Sequence, residues 1–504
     1  MAEQIAPTNA RLLMGGDYPD PSVLAHAGRL YMVHSSFDHY PGLLVWASDD
    51  GVAWQRVGHA LHTYVGSVWA PELIEHGGRF FIYFFANGTG NQVVHADRIE
   101  GPWEGPVALP GVPGIDPGHV VAEDGTRWLH SSNGMATPMT ADGLATAGEP
   151  RQVVEPWPIP DDWRIETLAF EGPKFLRRDG RVVLLAAEGG TAGPPTSHMV
   201  IAATGPDATG PFTWDPRGPM LHTASADDRF HSVGHGTIVR APDDTWRMFS
   251  HGYEAGLATL GRQTLVSAVR WRDDGFPEVV PSEEVAGEGR AAARPHADPL
   301  VTDTPKPLGP QWQRFIPPKT EPAEAERLIA EMVTTPTGLT LAPSGPGLAD
   351  DRPVTVIATD PAYRVEVTVT RRAPGVEAGL GLFYLPHAFT ALTLTDDGPR
   401  LHHHNGIPAR PANLPTAGPV TLRLDVDRDV VDRFVIADGQ TWYLGSGHIS
   451  GLNHHTFGGF LALRPALFTA GPSNATATFT DFRYEPRDPT STHQHTTPDA
   501  RRLP

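Results

Sequence analysis

The chain has no cysteine, which removes disulfide frameworks and thiolate metal sites from consideration. It also lacks a basic surface. Lys and Arg number 39 against 58 Asp and Glu, a formal net charge of -19, and no cationic stripe interrupts the acidic balance. That argues against a polyanionic partner such as nucleic acid. No apolar run approaches the length that spans a bilayer. The start, MAEQIAPTNARLLMGG, has no charged segment followed by an apolar one, so no secretory signal is read there. A cytoplasmic protein acting on a small soluble substrate is the expectation. What the chain has in excess is turn formers, Gly 53 and Pro 51 in 504 residues. At that length two domains are expected.

One phrase recurs five times in the first 280 residues: an acidic residue or histidine, then a short aromatic or aliphatic strand centred 9 to 12 residues later. The strands begin GRLYMVHSS (Gly28), GRFFIYFF (Gly78), GTRWLHSS (Gly125), GRVVLLAA (Gly180) and DTWRMFSH (Asp244). Ahead of them stand Asp20, Glu72, Asp116, Glu171 and His235. Each phrase runs on into a polar turn and a further strand, and an aromatic recurs there at Trp54, Trp103, Trp214 and Phe276. Several short strands per unit, repeated every 47 to 63 residues, predict a five-bladed β-propeller over residues 1–284. A circular array would bring the five polar groups together on one axis.

From 285 to 309 the pattern dissolves into GEGRAAARPHADP and TPKPLGP, which reads as a linker. Alternating strands such as YRVEVTVT, EAGLGLFYL and TLRLDVD then predict an all-β, antiparallel sandwich over 310–487. EPAEAERLIAEMV, from Glu321, is the one helix-like stretch. Residues 488–504 lack core-forming side chains and read as a tail. His402, His403 and His404 follow one another, as do His454 and His455. Neighbours on a strand point to opposite faces, so these read as surface or loop histidines and not as a metal site.

Taken singly, Asp20 in YPDPS, Glu72 in WAPEL, Asp116 in GIDPG and Glu171 in LAFEGPKF are compatible with turns that use a carboxylate as a backbone acceptor. Taken together they imply four carboxylates packed at one end of a channel. Like charges in proximity raise one another's pKa values, and few bases stand nearby to neutralise them. Such carboxylates suit proton-transfer chemistry. Glycoside hydrolysis in particular needs one acid to protonate the leaving oxygen and one carboxylate as base or nucleophile.

YPDPS, WAPEL, GIDP, EGPKF, AEGGT, VGHGTIV and LGRQT, in that order, resemble glycoside hydrolase family 43. The resemblance extends through EAGLGLFYLPHAFTALTL to the appended sandwich of β-xylosidase-like members. It implies an exo-acting, inverting hydrolase that releases xylose or arabinose from short oligosaccharides. Asp20 would be the general base, Glu171 the general acid and Asp116 the modulator of the acid's pKa. Arg262 resembles an arginine that reaches sugar hydroxyls or the catalytic carboxylates. His198, Glu188, Trp69 and Glu72 are further candidates to face the sugar. His235 resembles a histidine placed near a structural calcium ion on the propeller axis. Phe37, Tyr40 and Trp46 are candidates for a stacking wall against a sugar ring. The sandwich would lend the pocket a loop, with Phe383, Tyr384 or the segment around Phe389 as its contribution.

Two features depart from the family's usual pattern: SHGYEAGLATLGRQT from Ser250, and Gly118-His119 after GIDP. They leave the sugar open among β-xylosides, α-L-arabinofuranosides and β-galactosides. A non-catalytic carbohydrate-binding propeller is the alternative of a different class. A retaining, fructan-cleaving enzyme would need an arginine before the blade-three Asp-Pro, where this chain has GIDP. A homo-oligomer is compatible with everything above.

Overall fold

The computed structural model describes residues 9–281, 289–403, 418–489 and 501–502. It divides into two units, the first formed by Met1–Ala255, Arg262–Ala293 and Pro317–Thr320, the second by Gly256–Gly261, Arg294–Ile316 and Glu321–Pro504. No helix of the described residues is long and apolar enough to cross a membrane.

The first unit is a propeller of five antiparallel sheets. Blade two shows the plan: Ser67–His76, Arg79–Asn87, Gly90–Ala96 and Glu104–Ala108, in sequential order. Its second strand, RFFIYFFAN, buries Phe80 through Phe84 without alternation. A strand reads that way when both faces of its sheet are covered, and stacked blades supply the cover. Phe81 and Tyr83 pack with Leu129 and Met139 of blade three, and Leu185 of blade four packs with Val233 and Ile238 of blade five. Between the first two strands of blade two, Gly77 and Gly78 take φ of 62° and 81°, the left-handed pair that a two-residue hairpin demands.

Blade five holds Phe230–Arg240, Trp246–Glu254 and Gln263–Trp271, and the ring is closed by Arg11–Met14, which pairs with Gln263–Trp271. The chain's first strand thus completes its last blade. This pairing ties the two ends of the ring together. None of the five repeated phrases announces this strand.

The second unit contains two sheets. One orders Lys306–Pro307, Val333–Thr335, Gly338–Leu341, Ala477–Pro486, Ala362–Arg372, Val420–Asp427, Val430–Ala437, Gln440–His448 and Arg501–Arg502. The other includes Gly398–His402, Ala388–Thr395, Glu377–Leu385, Arg464–Ala470, Val354–Thr355 and Gln313–Phe315. The helix-like stretch forms a helix over Pro322–Ala330, with proline at its first position, where no amide hydrogen is needed.

Several expectations change here. The segment expected as a linker is split between the units: Arg294 pairs with Asp360, and the amide of Asp298 donates to Phe482 O. Phe383 and Tyr384 are core residues of the second unit. Phe383 packs edge-on against Phe315 at 4.8 Å, and the Tyr384 hydroxyl donates to Gly458 O. His454 is buried in a one-turn helix, where its Nδ1 accepts from the Phe460 amide. His402 pairs with Glu377, and His404 lies outside the described residues, as does most of 488–504.

One interaction spans the propeller's centre. Lys174 of blade four donates to Glu72 Oε2 at 2.7 Å and to Pro71 O at 2.7 Å, both in blade two. Lys174 and Glu72 are 3% and 6% exposed, so removing the cation alone strands a buried carboxylate. Lys174→Met is expected to lower the unfolding free energy by about 3–5 kcal/mol, measured by urea denaturation. A loss below about 1 kcal/mol, the range of surface pairs, would contradict the bracing role.

Candidate active site

Each blade enters the centre through a strained or bulged step. Asp20, Asp116 and His235 have φ of 57°, 57° and 52°, a left-handed backbone that costs a non-glycine residue about 1–3 kcal/mol. In blade four the same turn falls on Gly172 (φ 59°), directly after Glu171. A Cβ there would stand 2.7 Å from the His235 ring, so glycine is required on two counts. The register slips between Glu171 and Lys174 and on both sides of Gly234. Bulges of this kind re-aim side chains at the rim of a sheet.

Asp20 is the most tightly held group. Arg262 donates to Oδ1 at 2.9 Å and to Oδ2 at 3.4 Å, and the Ser35 hydroxyl donates to Oδ2 at 2.5 Å. His251 Nδ1 lies 3.0 Å from Oδ1, and His235 Nδ1 lies 3.6 Å from it. Burial works to raise the Asp20 pKa, but the Arg262 charge leads the contacts that outweigh it and hold it well below the usual carboxylate range. Asp20 is therefore ionised throughout the neutral range.

Asp116 and Glu171 behave in the opposite sense. Burial, then the charges of Glu171 and Asp20, push Asp116 well above its ordinary value, with Lys174 and Arg262 opposing. Burial, then the charge of Asp20, push Glu171 up to about 7, with Glu166 adding and Arg262 opposing. Repulsion between Asp116 and Glu171 is reciprocal, so a proton near neutrality belongs to the pair. No side-chain hydrogen bond holds Glu171 among the described residues, and it remains partly exposed. The centre thus combines one firm base with a carboxyl that keeps a transferable proton. That separation of pKa values is how acid and base roles are divided between like residues.

The other candidates are distributed unevenly. Arg262 is in the site as the clamp on Asp20, and its guanidinium lies 5.5 Å over the Phe37 ring. Phe37, Tyr40 and Trp46 are buried at 4%, 0% and 0% exposure. Trp46 packs edge-on to Tyr18 and under Arg56, and so fills the blade instead of forming a sugar-facing wall. Trp69 stays partly exposed, its indole donating to Ser67. Glu72 is removed from the cluster by Lys174 and the Ser22 hydroxyl; the base that neutralises it stands in EGPKF, three residues after Glu171. Glu188 is 1% exposed, its Oε1 accepts from the Trp157 amide at 2.7 Å, and burial pushes its pKa up to about 8. It fastens the segment before Glu171. His198 is fully buried, with Nδ1 on Gly189 O at 2.9 Å and its ring on His251.

His235 Nε2 is buried with no hydrogen-bond partner among the described residues, but the groups around it offer few direct ligands for the expected calcium. Calcium takes six to eight oxygens, and no group of three or more His, Asp or Glu among the described residues is arranged to hold a metal. The carboxylate beside His235 already serves Arg262 and Ser35.

The Gly118-His119 departure also has a local cause. A Cβ on residue 118 would lie 1.9 Å from Pro173 O, so blades three and four approach at glycine distance. His119 accepts from Arg127 and stacks on Tyr83.

Fold and site together define a five-bladed propeller protein built around a clamped aspartate and a proton-sharing carboxyl pair. Residues 12–277 match the model of Glycosyl hydrolases family 43, and the chain belongs to that family. It is 28% identical over 354 residues to a xylan 1,3-β-xylosidase from Vibrio sp., covering 61% of this chain and 62% of that protein. It is 27% identical over 292 residues to a non-reducing end α-L-arabinofuranosidase from Bacteroides ovatus, covering 53% and 52%. The chain thus spans about half to three fifths of these curated relatives. Among solved structures, the GH43 BlXynB protein from Bacillus licheniformis superposes with a TM-score of 0.79 at 24% identity, over 95% of this chain and 100% of that one. A xylan β-1,4-xylosidase from Bacillus halodurans gives 0.78 at 22%, over 94% and 100%. At these identities the structures establish the fold.

Asp116→Asn removes the carboxyl that shares the pair's proton and repels Glu171 whenever it is ionised, so Glu171 should ionise more easily. The alkaline limb of the kcat/KM profile is expected to move to lower pH than in the parent protein. An unchanged limb, or a shift to higher pH, would contradict the reciprocal coupling.

Proposed function

We propose that the chain is an exo-acting, inverting glycoside hydrolase that releases pentose units, xylose or arabinose, from short oligosaccharides. The observation that carries this is the opposed protonation of Asp20 and Glu171 around one centre. In this reading Asp20 takes a proton from a water molecule as that oxygen bonds to the anomeric carbon. Glu171 gives its proton to the departing glycosidic oxygen as the carbon–oxygen bond breaks. Asp116 keeps Glu171 protonated up to neutrality and holds no bond to the sugar. The water oxygen ends on the sugar and its proton on Asp20, so the step balances without a cofactor.

Relatives named as xylosidase and as arabinofuranosidase match at nearly equal identity, and this supports a pentose without deciding which one. β-Xylosidase is the first choice and α-L-arabinofuranosidase the second. The partner is a small oligosaccharide.

The test is a panel of nitrophenyl glycosides with xylo- and arabino-oligosaccharides, run on the parent protein, Asp20→Asn and Glu171→Gln. Cleavage of one pentoside is expected, abolished in Asp20→Asn. Glu171→Gln is expected to lose about 10²–10⁴-fold on natural disaccharides and much less on nitrophenyl substrates, whose leaving groups need no proton. Full activity of Glu171→Gln on a disaccharide would overturn the acid assignment. Binding of sugars with no cleavage across the panel would favour the carbohydrate-binding alternative.

A further inference from the structure

His251 was not among the residues that spacing or resemblance brought forward, yet it touches Asp20 at both ends. The Asp20 amide donates to His251 Nδ1 at 3.1 Å, and the same nitrogen lies 3.0 Å from Asp20 Oδ1. Ser35 and Arg262 reach only the carboxylate. The amide is the part that matters for direction, because Asp20 sits in the left-handed backbone region at φ 57°. An aspartate persists there only where its surroundings over-determine it.

His251 is itself immobilised. It is 0% exposed, and its ring lies parallel to that of His198, with centroids 5.2 Å apart and planes 3° apart. His198 is tied through Nδ1 to Gly189 O of blade four. A rigid line therefore runs from blade four through His198 and His251 of blade five to the Asp20 backbone in blade one. Burial and the Arg262 charge keep His251 neutral. With an N–H directed at Nδ1, the ring carries its proton on Nε2.

We propose that His251 is a positioning residue for the general base: its Nδ1 pins the Asp20 amide, and the carboxylate direction follows from that anchor. The inference rests on the reading of Asp20 as the base. It also gives the SHGYE segment, one of the chain's departures from the usual family pattern, a role in the chemistry.

Asparagine and glutamine separate the contact from mere packing. The side-chain oxygen of Asn can stand where Nδ1 stands, whereas that of Gln reaches toward Nε2. Both keep a buried polar group, and circular dichroism would confirm folding of each. On the pentoside that the parent protein cleaves, His251→Gln is expected to lose about 10²-fold in kcat, the scale of a ~1 Å misplacement, with KM nearly unchanged. His251→Asn should recover most of that loss. Equal kcat in the two variants, or a loss confined to KM, would overturn the positioning role. An inactive parent protein would instead overturn the reading of Asp20 as base, and this inference with it.

Discussion

The bond between Arg262 and Asp20 is the interaction on which the rest of the centre depends. Asp20, Asp116 and Glu171 share a low-dielectric space in which three full negative charges could not coexist. Arg262 gives one of them, Asp20, a partner in hydrogen-bonding contact and thereby decides which carboxylate ionises first. Once Asp20 is charged, it becomes a cause of the raised pKa of both others. The clamp therefore does two jobs through one contact: it keeps one carboxylate ionised, and through that charge it helps to keep a proton on the other two.

Folding accommodates this concentration of charge by neutralising everything nearby that is not used. Glu72 occupies the blade-two version of the same position and is paired with Lys174. The histidines around Asp20 are held neutral by burial: His34 and His198 are pushed down to about 3, and His235 well below its ordinary value. Three imidazoles at the centre are stacked or tilted against one another at 5.2 and 6.0 Å, which uncharged rings tolerate and imidazolium ions would not. The ring of blades is closed by the chain's first strand, so the centre's geometry depends on both ends of the propeller.

Much of this was legible in the sequence, and for a definite reason. A propeller repeats one supersecondary unit, so strands recur at a visible period and a polar residue in front of each must approach the axis. The count of five and the placing of Asp20, Asp116 and Glu171 in the centre follow from that, whereas Arg262 beside them came only from the resemblance of LGRQT. What period cannot tell is which partner a side chain meets across the ring. Glu72 looked equivalent to Asp20 because the lysine that cancels it comes from another blade. Glu188 lies one residue beyond Ala187, which pairs with Glu171 across the strands, and a one-residue step on a strand changes the face. Tyr40 and Trp46 were aromatic residues in the right blade, but stacked blades need fillers as much as sugars need walls. His251 was hidden because its contact with Asp20 is to a backbone amide, which no side-chain motif encodes.

The central claim is a single displacement by water, with Asp20 as base and Glu171 as acid. Proton NMR of the anomeric signal during the first minutes of hydrolysis tests it most directly, before mutarotation mixes the products. The account requires the first sugar released to have the opposite anomeric configuration to the substrate. Release of the same configuration would mean a covalent glycosyl intermediate and two displacements, and Asp20 would then be a nucleophile.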